Sequence, residues 1–167
     1  QKGTRFRVPL RKDLKYDTLS TKYASFKGRA VALEDFLTPY KIYYTAAYEM
    51  ARGNENLTGA GSFVGTEDYY EASKSGFDQE KFNKIGIHTY TSGEEQGLEF
   101  EFNVPCTTFY AMYYLASSMF TPVPSDFIET LGGGTGEAAF TEGVKHWGNF
   151  IDDGTSIVAS PVDTTLS

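Results

Sequence analysis

The chain is poor in the residues on which most site chemistry depends. It has one cysteine, Cys106, in 167 residues, so it can form neither an internal disulfide nor a thiolate cage for a metal. Its two histidines, His88 and His146, can support a site in principle. His88, however, falls on the polar face of an expected strand, and His146 sits beside Trp147 at a helix end; both read as surface positions. Positive charge is also short. Fifteen Lys and Arg stand against 22 Asp and Glu, a net charge of −7, which argues against nucleic acid as a partner because phosphate binding needs a basic face. No apolar run reaches the roughly 20 residues of a membrane-spanning helix. The chain opens Gln1-Lys2-Gly3 without an initiator Met and reads as a processed piece, so the lack of a leader says nothing about compartment. Aromatic residues are abundant, with 12 Tyr and 13 Phe. Such an excess marks half-buried rings at grooves and interfaces.

Length predicts one domain over 1–167. Thr4–Leu10 alternates, with Phe6, Val8 and Leu10 on one face, and reads as a strand that Pro9 places at an edge. Arg11–Gly28 is polar and reads as a long excursion. Ala32–Arg52 carries Leu33, Phe36, Leu37, Tyr40, Tyr44, Ala47 and Tyr48 on one helical face, with Glu34, Asp35, Thr38, Thr45, Glu49 and Arg52 opposite. Ala32 is a poor cap. Pro39 requires either a kink or a restart with Thr38 as cap. A Gly-rich loop spans 53–65, Thr66 is placed to cap a short helix over 67–73, and 76–82 reads as a polar connection.

Lys84–Tyr90 and Leu98–Val104 form the clearest sheet signal, an antiparallel hairpin with a turn-rich link over 91–97. Thr107–Ser117 has apolar residues on most faces, as in a helix that is buried or docked on a second body. Short helices follow over 126–131 and from 135 to about 145, and Trp147–Ser167 reads as irregular. The expected class is α+β, a small antiparallel sheet with several helices packed on it. Phe36, Tyr40, Phe100, Phe102 and Phe109 are expected to be buried together. Tyr110 and Tyr114 are expected to be partly exposed or in an inter-chain contact.

Motifs with chemical meaning are sparse. Gly132–Gly136 lacks the Lys-Ser/Thr ending and the preceding strand of a phosphate loop, and reads as a helix stop. Asp152-Asp153-Gly154 lacks the alternating acids of a calcium loop. Cys106 has no basic neighbour and reads as a buried, inert thiol. Glu99 and Glu101 share a strand face as a glycosidase pair does, but an ordinary solvated face is the simpler reading. No catalytic set, metal site or cofactor is expected.

Several segments in order nevertheless resemble one family. Phe6-Arg7-Val8-Pro9-Leu10-Arg11-Lys12-Asp13-Leu14-Lys15-Tyr16, Val31-Ala32-Leu33-Glu34-Asp35-Phe36, the Ile85–Ile87 and Leu98–Phe102 hairpin, Pro105–Phe109, Phe120-Thr121-Pro122-Val123-Pro124 and Trp147-Gly148-Asn149 with the run to Leu166-Ser167 are similar to segments of the solute-binding proteins of ABC importers, in the peptide-binding (oligopeptide and dipeptide) group. The chain departs from that pattern at Tyr16, Ala32, the insertion before Gly28 and the Gly93-Glu94-Glu95 turn. The resemblance covers part of a full-length member, the extra domain of a larger two-lobed binding protein. It implies an extracytoplasmic protein, periplasmic or anchored at the cell surface by a lipid outside this piece. Such a protein captures peptides and delivers them to ABC permease subunits. It also implies that this domain is mainly structural and binds peptides weakly by itself, with Asn54 and Phe63 in the 53–63 loop as candidate ligand contacts. Two rival readings are a glycan-hydrolase-like enzyme using Glu99 or Glu101 and a stand-alone Tyr-rich interaction domain.

Overall fold

The N-terminal alternation produces β1 (Lys2–Pro9) in the computed structural model, which describes residues 1–18, 21–48, 57–117, 121–152 and 158–162, with 148–152 and 158–162 described by backbone alone. The expected excursion after it contains β2 (Lys15–Thr18) and a 3-10 turn at Ala24–Phe26 that buries Phe26.

The long helix expected over 32–52 is divided. Leu33–Phe36 is a 3-10 turn, and α1 spans only Thr38–Tyr43, with Leu37 at its N-cap and Pro39 in its opening turn. The chain restarts rather than kinks, because proline is tolerated only where the N–H it lacks has no helical partner. It restarts one residue earlier than expected: Thr38 is the first helical residue and not the cap. Ala32 provides no side-chain cap. Instead the Asp35 carboxylate reaches back to accept the Ala32 N–H at 2.9 Å, which is half of a capping box. The apolar face is as expected, with Phe36, Leu37, Tyr40 and Tyr44 buried. The opposite face is not solvated throughout: Asp35, Thr38 and Thr45 are buried as well.

Next come α2 (Thr66–Ser73) and α3 (Gln79–Phe82). Thr66 does not cap α2; its hydroxyl donates to the carbonyls of Leu57 and Phe63, and left-handed Gly65 precedes the helix. The segment read as a polar connection holds α3 because the Asp78 carboxylate accepts the Lys81 N–H at 3.0 Å, an N-cap that the surrounding polarity obscured.

The hairpin is tighter than expected. β3 (Ile87–Ser92) and β4 (Glu95–Thr107) pair antiparallel from Ile87–Phe100 to Ser92–Glu95, so most of the presumed link is strand. Two residues, Gly93 and Glu94, make the turn, and Gly93 has φ 59°, the positive φ that a two-residue turn demands at its first central position. β1 pairs antiparallel with the other side of β4, giving the order β1-β4-β3. Pro9 therefore lies on an edge strand.

The chain continues through α4 (Thr108–Ala116), α5 (Ser125–Leu131), α6 (Glu137–Asp152) and β5 (Val158–Val162). β5 pairs antiparallel with β2 in a second, two-stranded sheet, so the C-terminal stretch is more regular than expected. α5 and α6 cross closely at Gly132 and Gly143, where a Cβ would collide with the carbonyls of Ala139 and Ile128. The fold is α+β, with helices packed on a three-stranded antiparallel sheet.

One buried cluster joins the helices to the sheet. Tyr40 meets Phe100 edge-on at 5.8 Å, and Phe127 takes Tyr23 and Phe26 edge-on at 5.1 and 5.4 Å. Of the five residues expected in the core, Phe36, Tyr40, Phe100 and Phe102 are there. Phe109 is not: it is 73% exposed. In a helix that is apolar all round, periodicity cannot select the inward face. The inward stripe is Ala111 and Leu115, and Phe109 lies away from it.

Candidate functional site

Three places hold side chains whose surroundings differ from ordinary core or ordinary surface. The first is α4. Thr107 caps it by accepting the Tyr110 N–H at 3.4 Å, and no charged residue occurs from Phe102 to Ser125. Only a narrow stripe turns inward. Tyr110 is 53% exposed, and Met112 and Tyr113 are each 67% exposed. Phe109 and Val104 extend the same apolar surface. Tyr114 is half-buried, with its ring 5.9 Å from that of Phe102. Exposure of Tyr110 and Tyr114 matches expectation, whereas exposure of Phe109, Met112 and Tyr113 makes the uncovered face larger. A soluble domain seldom leaves so many large apolar side chains together in water unless they meet something.

The second place is a polar seam behind α1. The Lys41 side chain is buried, and its Nζ donates to Gln79 Oε1 at 2.9 Å and Ser125 Oγ at 3.4 Å. The ammonium lies 5.6 Å from the Phe82 ring centroid and 5.8 Å from that of Phe77. Among the described residues no carboxylate forms an ion pair with it. Burial pushes the Lys41 ammonium below its usual range, with more distant Glu34, Glu129 and Asp35 opposing. Thr38 Oγ1 and Ser125 Oγ, 3.1 Å apart, complete the link from α1 to α5. Nearby, Asp35 accepts the Tyr16 hydroxyl at 2.9 Å. Burial raises the Asp35 carboxyl above its usual range, while the Ala32 N–H, the Tyr16 hydroxyl and Arg29 pull it back. The sequence offered a signal for this seam that the helical wheel hid: Asp35, Thr38, Lys41 and Thr45 recur at three- and four-residue spacing within a run otherwise full of rings.

The third place is the sheet's outer face. Glu99 forms an ion pair with Arg7 at 2.8 Å and Glu101 with Arg5 at 3.4 Å across the β1–β4 ladder. The Arg7 guanidinium also covers the Tyr90 ring at 4.7 Å, and the Tyr90 hydroxyl donates to Glu95. Both carboxylates of the glycosidase-like pair are thus engaged by arginine.

The remaining candidates are dispersed. Phe63 is fully buried, its ring 5.2 Å from Phe100 and 5.1 Å from Phe102, so it sits in the core beneath β4. Asn54 lies outside the described residues. His88 and His146 are both exposed. Cys106 is buried, and burial pushes its thiol up, so little reactive thiolate forms there. Gly132–Gly136 forms the turn between α5 and α6. Among the described residues no three His, Cys, Asp or Glu side chains are grouped to hold a metal ion, and no helix is long and apolar enough to cross a membrane.

The geometry defines a class: an α+β domain whose most unusual surface is an uncharged aromatic helix face. Comparison of the chain with models of protein families, with curated proteins and with solved structures finds no match.

Proposed function

We propose that this chain is a domain of an extracytoplasmic peptide-binding protein serving an ABC importer, and that α4 is where it packs against the rest of that protein. The observation that carries the reading is the uncovered face of Phe109, Tyr110, Met112 and Tyr113. Motif order and spacing support it from the sequence side. In this reading the domain braces the binding lobe, the peptide contacts come mainly from elsewhere, and the permease subunits and lipid anchor act through other parts of the protein. The acidic, aromatic-rich composition suits a soluble receptor for peptides, and no group in the domain is assigned a catalytic part.

The test compares this chain with the longer gene product that contains it, using a panel of short peptides in a thermal-shift assay. A ligand at about 100 times its dissociation constant adds about 2.7 kcal/mol of stability, which a melting curve resolves. The longer product should be stabilised by some peptides while the 167-residue chain responds weakly or not at all. Micromolar binding by the chain alone would move the site into this domain. No response from the longer product to any peptide would overturn the reading. The same exposed face also favours a second reading, a stand-alone interaction domain, in which α4 stays uncovered in the longer product and is protected only when a separate protein is added.

A further inference from the structure

We infer that a cavity between the end of β4, α4 and the 60–61 turn is a binding site for a single aromatic ring carrying an acid group. The cavity is about 160 Å³ and is lined by Lys2, Ala60, Gly61, Val104, Pro105, Cys106, Thr107, Tyr110 and Tyr114. An enclosed apolar cavity of about 150 Å³ holds one benzene ring; this pocket has a similar volume but opens to solvent on one side, so it suits one ring whose substituent points outward. Its walls suit a flat guest. Tyr110 and Tyr114 stack with centroids 6.3 Å apart at 28°, so one wall is an aromatic pair, which another ring meets in offset or edge-on arrangements.

The Tyr114 wall is held against the backbone of Gly61, where an added Cβ would lie 2.7 Å from the ring and where φ is +83°. Glycine thus lets the Tyr114 ring lie against the backbone, where any side chain would push it away. Cys106 adds a soft apolar atom rather than a charge. Among the described residues Lys2 is the one charged residue in the lining. It stands opposite Thr107 in the β1–β4 ladder and forms no ion pair with a described residue. An ammonium beside an apolar slot selects an anionic over a cationic substituent on the ring. The site does not rest on the peptide-transport reading, but Tyr110 belongs both to its wall and to the α4 face proposed to pack on the rest of the protein. The site is therefore tested on the 167-residue chain, where that face is uncovered.

The experiment titrates the 167-residue chain with benzoate, benzylamine and cyclohexanecarboxylate while recording backbone amide shifts. Benzoate should give saturable shifts at Gly61, Cys106 and Tyr110, with a dissociation constant on the order of 1 mM, as suits so small a ligand. Benzylamine should bind at least about fivefold more weakly, and Lys2→Ala should remove that difference. Val104→Phe, at a partly exposed position where folding is spared, should fill the mouth and weaken benzoate by about tenfold or more. Absence of saturable shifts up to about 10 mM benzoate, or binding unchanged by Val104→Phe, would overturn the site. Equal affinity for cyclohexanecarboxylate would overturn the aromatic assignment, and equal affinity for benzylamine would overturn the acid assignment.

Discussion

Lys41 is a buried ammonium that no described carboxylate pairs with. An ammonium is costly to bury, and here a neutral amide, a hydroxyl and two ring faces stand in for a carboxylate. Lys41→Met, of similar length, should therefore be neutral or stabilising by about 1–3 kcal/mol at neutral pH, as when other buried charges are replaced by apolar groups. The pH dependence follows from the lowered ammonium. Its proton is held less tightly in the folded chain than at the unfolded value of 10.5. The unfolded state therefore binds more protons between the two values, and stability contributed by this group rises with pH across that alkaline window. Denaturant melts of both forms at neutral and alkaline pH should show the gain from Lys41→Met shrinking as pH approaches 10.5; a constant difference would mean that Lys41 is not desolvated. Phe100 is the opposite case, fully buried between Tyr40 and Phe63. Phe100→Ala should cost about 3–5 kcal/mol, and a loss below about 1 kcal/mol would contradict the assigned sheet face.

Among the elements, α4 separates what supports the fold from what faces outward. Leu115→Ala should cost about 2–4 kcal/mol because the side chain is buried and leaves a cavity. Tyr113→Ser, on the open face, should change stability by no more than about 0.5 kcal/mol while lowering the binding of a hydrophobic dye. If Tyr113→Ser were as costly as Leu115→Ala, the face would already be covered. The sequence made the elements legible where one face was clearly apolar and the other clearly polar, as in β1, β3, β4 and the Phe36–Tyr44 stripe. It failed where that contrast was missing. α4 has rings on all sides, so Phe109 was assigned inward. α3 is one turn long and polar, and its Asp78 cap was the only signal. β2 and β5 find each other across most of the chain, beyond the reach of any local pattern. The candidate site was legible in the same uneven way: Tyr110 and Tyr114 could be read as exposed, whereas the Lys41 seam needed the packing of α3 and α5 around α1.

For the whole molecule, buried phenols set an upper limit on pH. Burial raises the hydroxyls of Tyr16, Tyr40, Tyr44 and Tyr69 above their usual range. Each folded value lies above the unfolded value of 10.0, so the associated stability is intact below pH 10 and is lost as pH rises beyond it. Each withheld ionisation costs about 1.4 kcal/mol per pH unit, and above pH 10.5 Lys41 is neutral in both states and adds no further gain against it. Against a total stability of about 5–15 kcal/mol, cooperative unfolding is expected roughly one to three units above pH 10, with phenolate absorbance and loss of ellipticity rising together. Ionisation of these tyrosines in a chain that stays folded would contradict their burial.

The strand order also sets a sequence of events in time. β3 and β4 are joined by two residues, whereas β1 reaches β4 across most of the chain, with Arg7 and Glu99 92 residues apart. Closing the short loop costs little chain entropy and closing the long one costs more. The hairpin should therefore be formed in the folding transition state, and β1 should dock afterwards. Gly93→Ala should act mainly by slowing refolding, while Phe6→Ala should act mainly by speeding unfolding. Stopped-flow measurements on the two variants would distinguish this order from its reverse.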